Sequence, residues 1–133
     1  MITKIDASVE FWGEKFSPTH AEECTGLTFD QKNEVGEPGH TGRYKGQPKP
    51  FGAARLKAPT SLPDSDKILW LANVVMGKIE RLAECGLEDA HFSVAYYYQD
   101  QCNCSLSKEE SRAIADVGVD FWFSCYGVTE DKE

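Results

Sequence analysis

The sequence has no long apolar run. Its longest, around Ile68 to Met76, is interrupted by Asn73 and is far shorter than the ~20 apolar residues that a membrane-spanning helix needs. Residues 1–7 alternate polar and apolar side chains and do not form the continuous apolar segment of a signal peptide. We therefore expect a cytoplasmic protein that does not bind membranes.

The sequence is also poor in basic residues, with 14 Lys and Arg against 22 Asp and Glu and a net charge of −8. Residues 1–62 hold 8 acids and 8 bases, so residues 63–133, with 14 acids and 6 bases, carry the whole excess. Nonspecific binding to nucleic acid requires a surplus of phosphate-facing Lys and Arg. The charge pattern therefore argues against a nucleic-acid partner, and it favours a basic protein partner or simple solubility.

The common catalytic motifs are missing. The sequence contains no G-x-S-x-G elbow, no H-E-x-x-H pair and no G-x-G-x-x-G or phosphate-binding loop. His20 and Glu22 form the first half of the zinc-deaminase pattern, but its P-C-x-x-C half does not follow. The acids are scattered, so no pair of catalytic carboxylates can be assigned. We expect no catalytic residues, and the sequence favours a non-enzymatic protein over an enzyme.

The five cysteines are an odd number, which together with the missing signal segment indicates reduced thiols. We expect Cys24, Cys85 and Cys125 to be small core residues, the usual place of a free cysteine.

The other two cysteines, Cys102 and Cys104, form a C-x-C pair that could bind a metal together with Cys125 or His91. Such a pair is a weak zinc signal, because structural zinc sites usually show paired C-x₂₋₄-C or His partners. The alternative is a turn beside a hairpin. We expect no metal and no cofactor.

Hydrophobic patterning predicts a mixture of strands and helices. Period-two alternation indicates strands over residues 5–11, 54–58, 91–99 and 119–126. Helices are predicted from Ser17 to Gly26, over residues 65–85 as one long helix, and from the capping box Ser107–Glu110 to Gly118. The prediction is one α+β domain over residues 1–133, with two layers and ferredoxin-like character. Three helices would cover one face of a largely antiparallel sheet. Residues 127–133 would form a charged tail.

Residues 28–53 have weak periodicity and many Gly and Pro, and they predict a long loop. The second half of this loop overlaps an acid-free basic run over residues 40–59. We expect Arg55 and Lys57 to lie on the outward face of a strand, paired with carboxylates of neighbouring strands or of the long helix, such as Glu80 or Glu84. Arg43, Lys45 and Lys49 are expected to be exposed in the loop and free for a ligand or partner.

Aromatic residues supply the other candidate contacts. On adjacent strands, Tyr97 and Trp122 would share a face, and aromatic side chains with polar tips are enriched at interfaces. The alternative is that at least two residues of the Tyr96–Tyr98 row pack between helix and sheet. The candidate binding residues are Arg43, Tyr44, Lys45, Lys49, Tyr97, Trp122 and Tyr126.

Three segments carry a resemblance to a known family: FWGEKFSPTHAEECTGL (11–27), YKGQPKPFGAARLKA (44–58) and LSKEESRAIADVGVDFWFSCYG (106–127). In their order they resemble the bacterial family called domain of unknown function 4279. The resemblance implies no established reaction and no catalytic residues. The family does resemble small proteins found near bacterial toxin and defence genes. This likeness implies an inhibitor or immunity protein that acts on another protein. The alternative is a small enzyme or ligand-binding domain that clamps an anionic molecule with the 40–57 loop.

Overall fold

A computed structural model of the chain describes residues 1–129. It contains five strands, β1 (Ile2–Gly13), β2 (Gln31–Asn33), β3 (Gly52–Lys57), β4 (Asp89–Tyr98) and β5 (Asp120–Gly127). The α-helices are α1 (Pro18–Thr25), α2 (Asp64–Val75), α3 (Ile79–Glu84) and α4 (Lys108–Val117). The predicted charged tail lies beyond β5, and its residues 130–133 are outside the described residues.

The strands form one sheet in the order β2-β3-β1-β4-β5. The long β1 lies at the centre and pairs antiparallel with both β3 and β4, and β2 also pairs antiparallel with β3. Only β5 is parallel to its neighbour β4, because α4 connects the two as a crossover. The prediction of a two-layer α+β fold with a largely antiparallel sheet is confirmed.

The hydrophobic core lies between one face of this sheet and the helices. Alternate residues of the central strands point into it, and Val9, Phe11 and Phe92 are fully buried there. The apolar stripes of the helices meet them, with Ala21 from α1, Leu82 from α3 and, from the other two helices, Ile68, Leu71, Val75, Ile114 and Val117. The sheet is therefore covered on the side that carries the odd-numbered residues of β1.

Local capping chemistry sets the ends of two helices as the sequence predicts. The Ser17 hydroxyl accepts a hydrogen bond from the His20 N–H at the start of α1, and Gly26 ends that helix with φ of 77°. In α4 the Ser107 and Glu110 side chains cap each other's backbone N–H groups. Gly118 then ends the helix with φ of 85°.

The long helix predicted over residues 65–85 is wrong in one respect, because the structure divides it into α2 and α3. Gly77 separates them with φ of 76°, a left-handed conformation that stops an α-helix. The apolar residues still share one side, since Val75 before the break and Leu82 after it are both fully buried.

Within residues 1–129, no helix is long and apolar enough to cross a membrane.

The N-terminal half of β1 extends beyond the end of β3, so one edge of it lacks a partner strand. The Ala7 carbonyl accepts from the Ala58 N–H at 2.9 Å, just beyond the Ser8–Lys57 pair that ends the β1–β3 ladder. Two residues earlier, the Ile5 carbonyl accepts instead from Nζ of Lys67 at 2.6 Å. Lys67 is only 2% exposed and also donates to Asp64 Oδ1 at 2.9 Å. A buried lysine therefore supplies the hydrogen bond that the Ile5 carbonyl lacks from a neighbouring strand.

The segment predicted as a long loop is more ordered than its composition indicates. It contains the short strand β2 and a 3₁₀ turn at Gly42–Tyr44. The Gly36 N–H donates to the Lys49 carbonyl at 2.8 Å and the Lys49 N–H to the Glu37 carbonyl at 2.9 Å, as in a hairpin. Residues 34–51 thus form a folded-back arm, called the arm below, beside the sheet.

Candidate binding face of the sheet

The second face of the sheet carries side chains that the helices do not cover. The even-numbered residues of β1 point to it, together with alternate residues of the other strands. Three aromatic side chains on this face have large exposed fractions: Trp12 with 37%, Trp122 with 57% and Tyr126 with 51%. We call this surface the open face. Large apolar side chains grouped on an uncovered surface are typical of interaction sites.

Two stacked pairs order the aromatic side chains on the last two strands. The His91 and Trp122 rings lie parallel, with centroids 3.9 Å apart and an interplanar angle of 12°. Tyr97 and Tyr126 stack with centroids 5.2 Å apart, and Nζ of Lys4 lies 5.0 Å from the Tyr97 ring centroid. These contacts reduce the rotamer freedom of the exposed rings before any partner binds.

The arm turns one end of the open face into a cleft of about 870 Å³. Trp12 packs on Phe51 with ring centroids 5.9 Å apart, and Tyr44 packs edge-on against Phe51 at 5.8 Å. The cleft floor comes from β1, β2, β3 and β4, and Trp122 borders it on β5. The arm contributes residues 37, 38, 40, 41 and 49 to the opposite wall.

Carboxylates anchor the arm and the segment before it. The Glu34 side chain accepts from the Ser17 hydroxyl and from the Thr19 N–H, both at 2.8 Å. Partial burial opposes the ionisation of Glu34, but these hydrogen bonds prevail and its pKa lies below the ordinary value. Glu22 forms an ion pair with Lys32 and accepts from the Phe29 N–H at 2.9 Å. The bond from Lys32 is the main cause of a lowered Glu22 pKa. Glu22 therefore has a structural task, and it does not form half of a deaminase site with His20.

The charges that line the cleft are mixed, but several of its bases are already paired. Nε of Arg55 lies 3.0 Å from Oε2 of Glu10 across the open face. Lys32 also lines the cleft, and it is paired with Glu22, which does not line it. Among the ion pairs formed by residues 1–129, none includes the cleft residues Glu37 and Asp89. Asp30 also lines the cleft and forms no ion pair, but its carboxylate already accepts a hydrogen bond from the Lys57 N–H at 2.6 Å. Glu37 and Asp89 therefore remain to meet a cationic group.

The pairing of Arg55 corrects part of the expectation for the basic run. Arg55 and Lys57 do lie on the outward face of β3, and the partner of Arg55 is on a neighbouring strand as expected. The partners proposed from the long helix, Glu80 and Glu84, are wrong for Arg55. The helices lie on the other side of the sheet, which its side chain does not reach.

The predicted binding residues separate into two groups. Three aromatic ones, Tyr97, Trp122 and Tyr126, come together on the open face. However, Tyr97 lies opposite Tyr126, and Trp122 lies opposite Ser93, because the parallel register of β4 and β5 places them so. Tyr97 and Trp122 thus share a face without being neighbours.

The candidates on the arm are spread more widely. Lys49 lines the cleft, whereas Tyr44 does not line it and packs on Phe51, which in turn packs on the cleft residue Trp12. Arg43 and Lys45 are exposed at the 3₁₀ turn, where the Arg43 guanidinium carbon lies 5.5 Å from the Tyr44 ring centroid.

Trp12 and His91 belong to the open face but were not among the residues proposed from sequence. The alternation of β1 contains the signal for Trp12, since Asp6, Ser8 and Glu10 point outward and Trp12 follows at the same spacing. An outward tryptophan at the end of an otherwise polar face indicates a contact surface. His91 offers no such signal, because its stacking on Trp122 depends on the β4–β5 register.

The cysteines also depart from expectation. Cys85 is buried as predicted, but Cys24 and Cys125 are exposed. Cys125 is exposed because it lies on the edge strand β5, whose residues are mostly exposed. Its thiol accepts a hydrogen bond from the Cys102 thiol at 3.0 Å, and this bond is the main cause that raises the pKa of Cys102 to about 12.

Comparison of the chain with protein-family models, with curated proteins and with solved structures found no match. The resemblance to the domain of unknown function 4279 family therefore stays an expectation from sequence.

Proposed function

We propose that the protein is a non-enzymatic binding protein. Through the open face of its sheet, it binds a basic surface of another protein. The observation that carries this proposal is the row of pre-ordered, half-exposed aromatic side chains on that face, Trp12, Trp122 and Tyr126. Aromatic residues of this kind dominate the energetics of protein interfaces, because they bury a large area with few rotatable bonds.

Charge supports a basic partner over an acidic one. The cleft offers Glu37 and Asp89 without an ion-pair partner among residues 1–129, whereas its Arg55 is already paired with Glu10. A lysine or arginine from a partner would meet these carboxylates beside the Trp12 and Trp122 rings, where cation–π attraction adds to the ion pair. The net charge of −8 on residues 63–133 also attracts a basic protein at long range.

The sequence resemblance gives a narrower form of the same proposal. It implies that the partner is the protein product of a toxin or defence gene, so that binding would inhibit it. Basic partners of this kind, nucleases for example, are captured rapidly by acidic surfaces.

An anion-binding domain is the second candidate, and one observation favours it. Lys49 and His40 of the arm line a cleft that Arg55 also reaches. Arg55 is neutralised by Glu10, however, and Arg43 and Lys45 are not among the residues that line the cleft. An anion would therefore meet Lys49 as the main unpaired positive charge, next to the carboxylates of Asp30, Glu37 and Asp89, which repel it. The geometry supports the basic partner better.

A matched pair of baits tests the proposed function. Trp122 and Phe123 are neighbours on β5 with nearly equal exposure, 57% and 60%, but they point to opposite faces of the sheet. Wild-type protein, W122S and F123S would be immobilised, and proteins captured from the native cell would be quantified. Both positions are on the surface, so both variants are expected to fold.

The proposal predicts that a basic protein is enriched by the wild type and by F123S and is lost by W122S. Truncating an interface hot spot raises Kd by about 30-fold or more, equivalent to at least about 2 kcal/mol. Equal capture by W122S and F123S would contradict a role for the open face. Saturable binding of inorganic phosphate, lost in K49S, would favour the anion-binding alternative.

A further inference from the structure

Three cysteine thiols from two separate segments meet at one end of the sheet. Cys102 and Cys104 belong to the irregular connection between β4 and α4, and Cys125 lies on β5. Their three sulfur atoms all lie within 4.8 Å of one another. The pairing of Cys125 with Tyr96 in the β4–β5 ladder brings its sulfur under the connection that follows β4. We call these residues the thiol cluster.

We propose that the thiol cluster binds a single thiophilic metal ion, of the zinc or copper(I) class, through three thiolates. Soft thiolate ligands select these ions over oxygen-preferring ones such as Mg²⁺ and Ca²⁺. On a tetrahedral ion with Zn–S bonds of about 2.3 Å, ligand sulfurs lie about 3.8 Å apart, a separation that the cluster already permits. Zinc would take a fourth ligand from water, whereas copper(I) needs only three sulfurs.

The third sulfur distinguishes a metal site from a simple disulfide pair. A Cys102–Cys125 disulfide would use two sulfurs and would need no contribution from Cys104. The C-x-C spacing, however, brings Cys104 to the same place, and both C-x-C residues are partly buried against the core. The sequence alone predicts no metal, because it could not show which residue, if any, completes the C-x-C pair. The structure supplies Cys125, and this changes our expectation.

A second group, His20, Cys24 and Cys85, also has its ligand atoms within 4.8 Å. There the Cys24 sulfur lies 3.6 Å from Nε2 and 4.0 Å from Nδ1 of His20. Because the two distances are similar, the sulfur does not lie along the lone-pair direction of either ring nitrogen, which would place it much closer to one nitrogen than to the other. This group serves as the control for the thiol cluster.

A bound metal would join the β4–α4 connection to the edge strand. Between Gln101 and the Ser107 cap, this connection has no regular secondary structure. The metal would fix it over the exposed strand β5 and close the chain between Cys102 and Cys125. This inference does not depend on the proposed function, since the cluster lies outside the residues that line the cleft.

The test uses the full chain, reduced and freed of metal by chelation. Co²⁺, as a spectroscopic substitute for Zn²⁺, and Cu(I) held in a weak complex would be titrated separately, and thiolate-to-metal charge-transfer absorption would be recorded. The proposal predicts a one-to-one end point with Co²⁺ displaced by Zn²⁺, with Cu(I), or with both. The variants C104S and C125S should weaken binding by at least about 10–100-fold, the loss typical even of residues that only support a metal ligand. C24S should bind as the wild type does.

Alkylation with mass spectrometry keeps the test decisive if a cluster variant fails to fold. In the wild type, saturating metal should protect Cys102, Cys104 and Cys125 from alkylation and leave the exposed Cys24 reactive. Protection of Cys24 and Cys85 instead would overturn the proposal. The absence of charge-transfer absorption with both Co²⁺ and Cu(I) would also overturn it. A Cys102–Cys125 disulfide that resists reduction and excludes metal would also overturn it.

Discussion

The imidazole of His91 lies flat on the indole of Trp122, with ring centroids 3.9 Å apart and only 12° between the planes. The two residues are on adjacent strands, and the stack holds the most exposed tryptophan in place on an edge strand. A double-mutant cycle with H91A, W122A and the double variant should give a coupling free energy of about 0.5–1.5 kcal/mol in urea denaturation. Additive effects would show that the stack does not order Trp122.

Lys67 should be a large contributor to stability although it is charged and buried. Its replacement in K67M removes the donor for the Ile5 carbonyl and the cation 3.8 Å from Oδ1 of Asp6. Because a buried group left without its partner costs about 1–3 kcal/mol, the free energy of unfolding should fall by at least that amount. Denaturant titration measures it. The control K108M alters an exposed lysine and should change stability by less than about 0.5 kcal/mol.

Acid should weaken the anchors of the arm and of the segment before it. The pKa values of Glu22 and Glu34 are lower in the folded chain than their ordinary value of 4.5, so near this pH the unfolded chain binds more protons. Their stabilisation is complete above about pH 4.5 and is lost as the pH falls through the lower folded-state values. The stability difference between wild type and E22Q should therefore be largest at pH 7 and shrink toward pH 3.

Urea denaturation at a series of pH values measures this difference. The variant E23Q, at the exposed neighbouring position of α1, is the control and should show a small difference at every pH. A gap between wild type and E22Q that stays constant from pH 7 to pH 3 would show that the Glu22 carboxylate is not the anchor.

The triple variant R43S/K45S/K49S should retain the wild-type melting temperature. The arm is held by backbone bonds such as Gly36 N–H to the Lys49 carbonyl, and within residues 1–129 the three bases form no ion pair. Replacing unpaired surface charges changes stability by less than about 0.5 kcal/mol. A large fall in melting temperature would make these side chains structural.

The same variant separates the two candidate functions. An anion held by the arm should bind more weakly to it, whereas a basic partner should bind as well as before or better. Isothermal titration with inorganic phosphate and with the captured protein measures both.

Much of the fold could be predicted because short-range chemistry sets it. The Ser17 cap, the Ser107–Glu110 box and the glycines that follow both helices act within a few residues, and the strands alternate with period two. The break at Gly77 was not predicted. The apolar stripe continues through it, and a glycine in an apolar stripe does not by itself reveal a positive φ.

The site was harder to predict because it depends on register. Tyr97 and Trp122 were correctly placed on one face. However, Tyr97 stacks on Tyr126 and Trp122 stacks on His91. These pairs depend on the β4–β5 register, which the length of the α4 crossover sets. The approach of Cys125 to the C-x-C pair has the same origin. Such long-range alignments leave no local pattern in a single sequence.

The three tryptophans can report directly whether a partner binds the open face. Trp12 and Trp122 lie on the open face, whereas Trp70 lies on α2 and packs against the core on the helical side. In ¹⁵N-labelled protein, the three indole N–H signals can be assigned with single Trp-to-Phe variants and followed while the captured partner is added. If the partner binds the open face, the signals of Trp12 and Trp122 should shift or broaden and the Trp70 signal should stay in place. A shift of Trp70 with Trp12 and Trp122 unchanged would show that the partner binds the helical layer, and the open face would not be the binding surface.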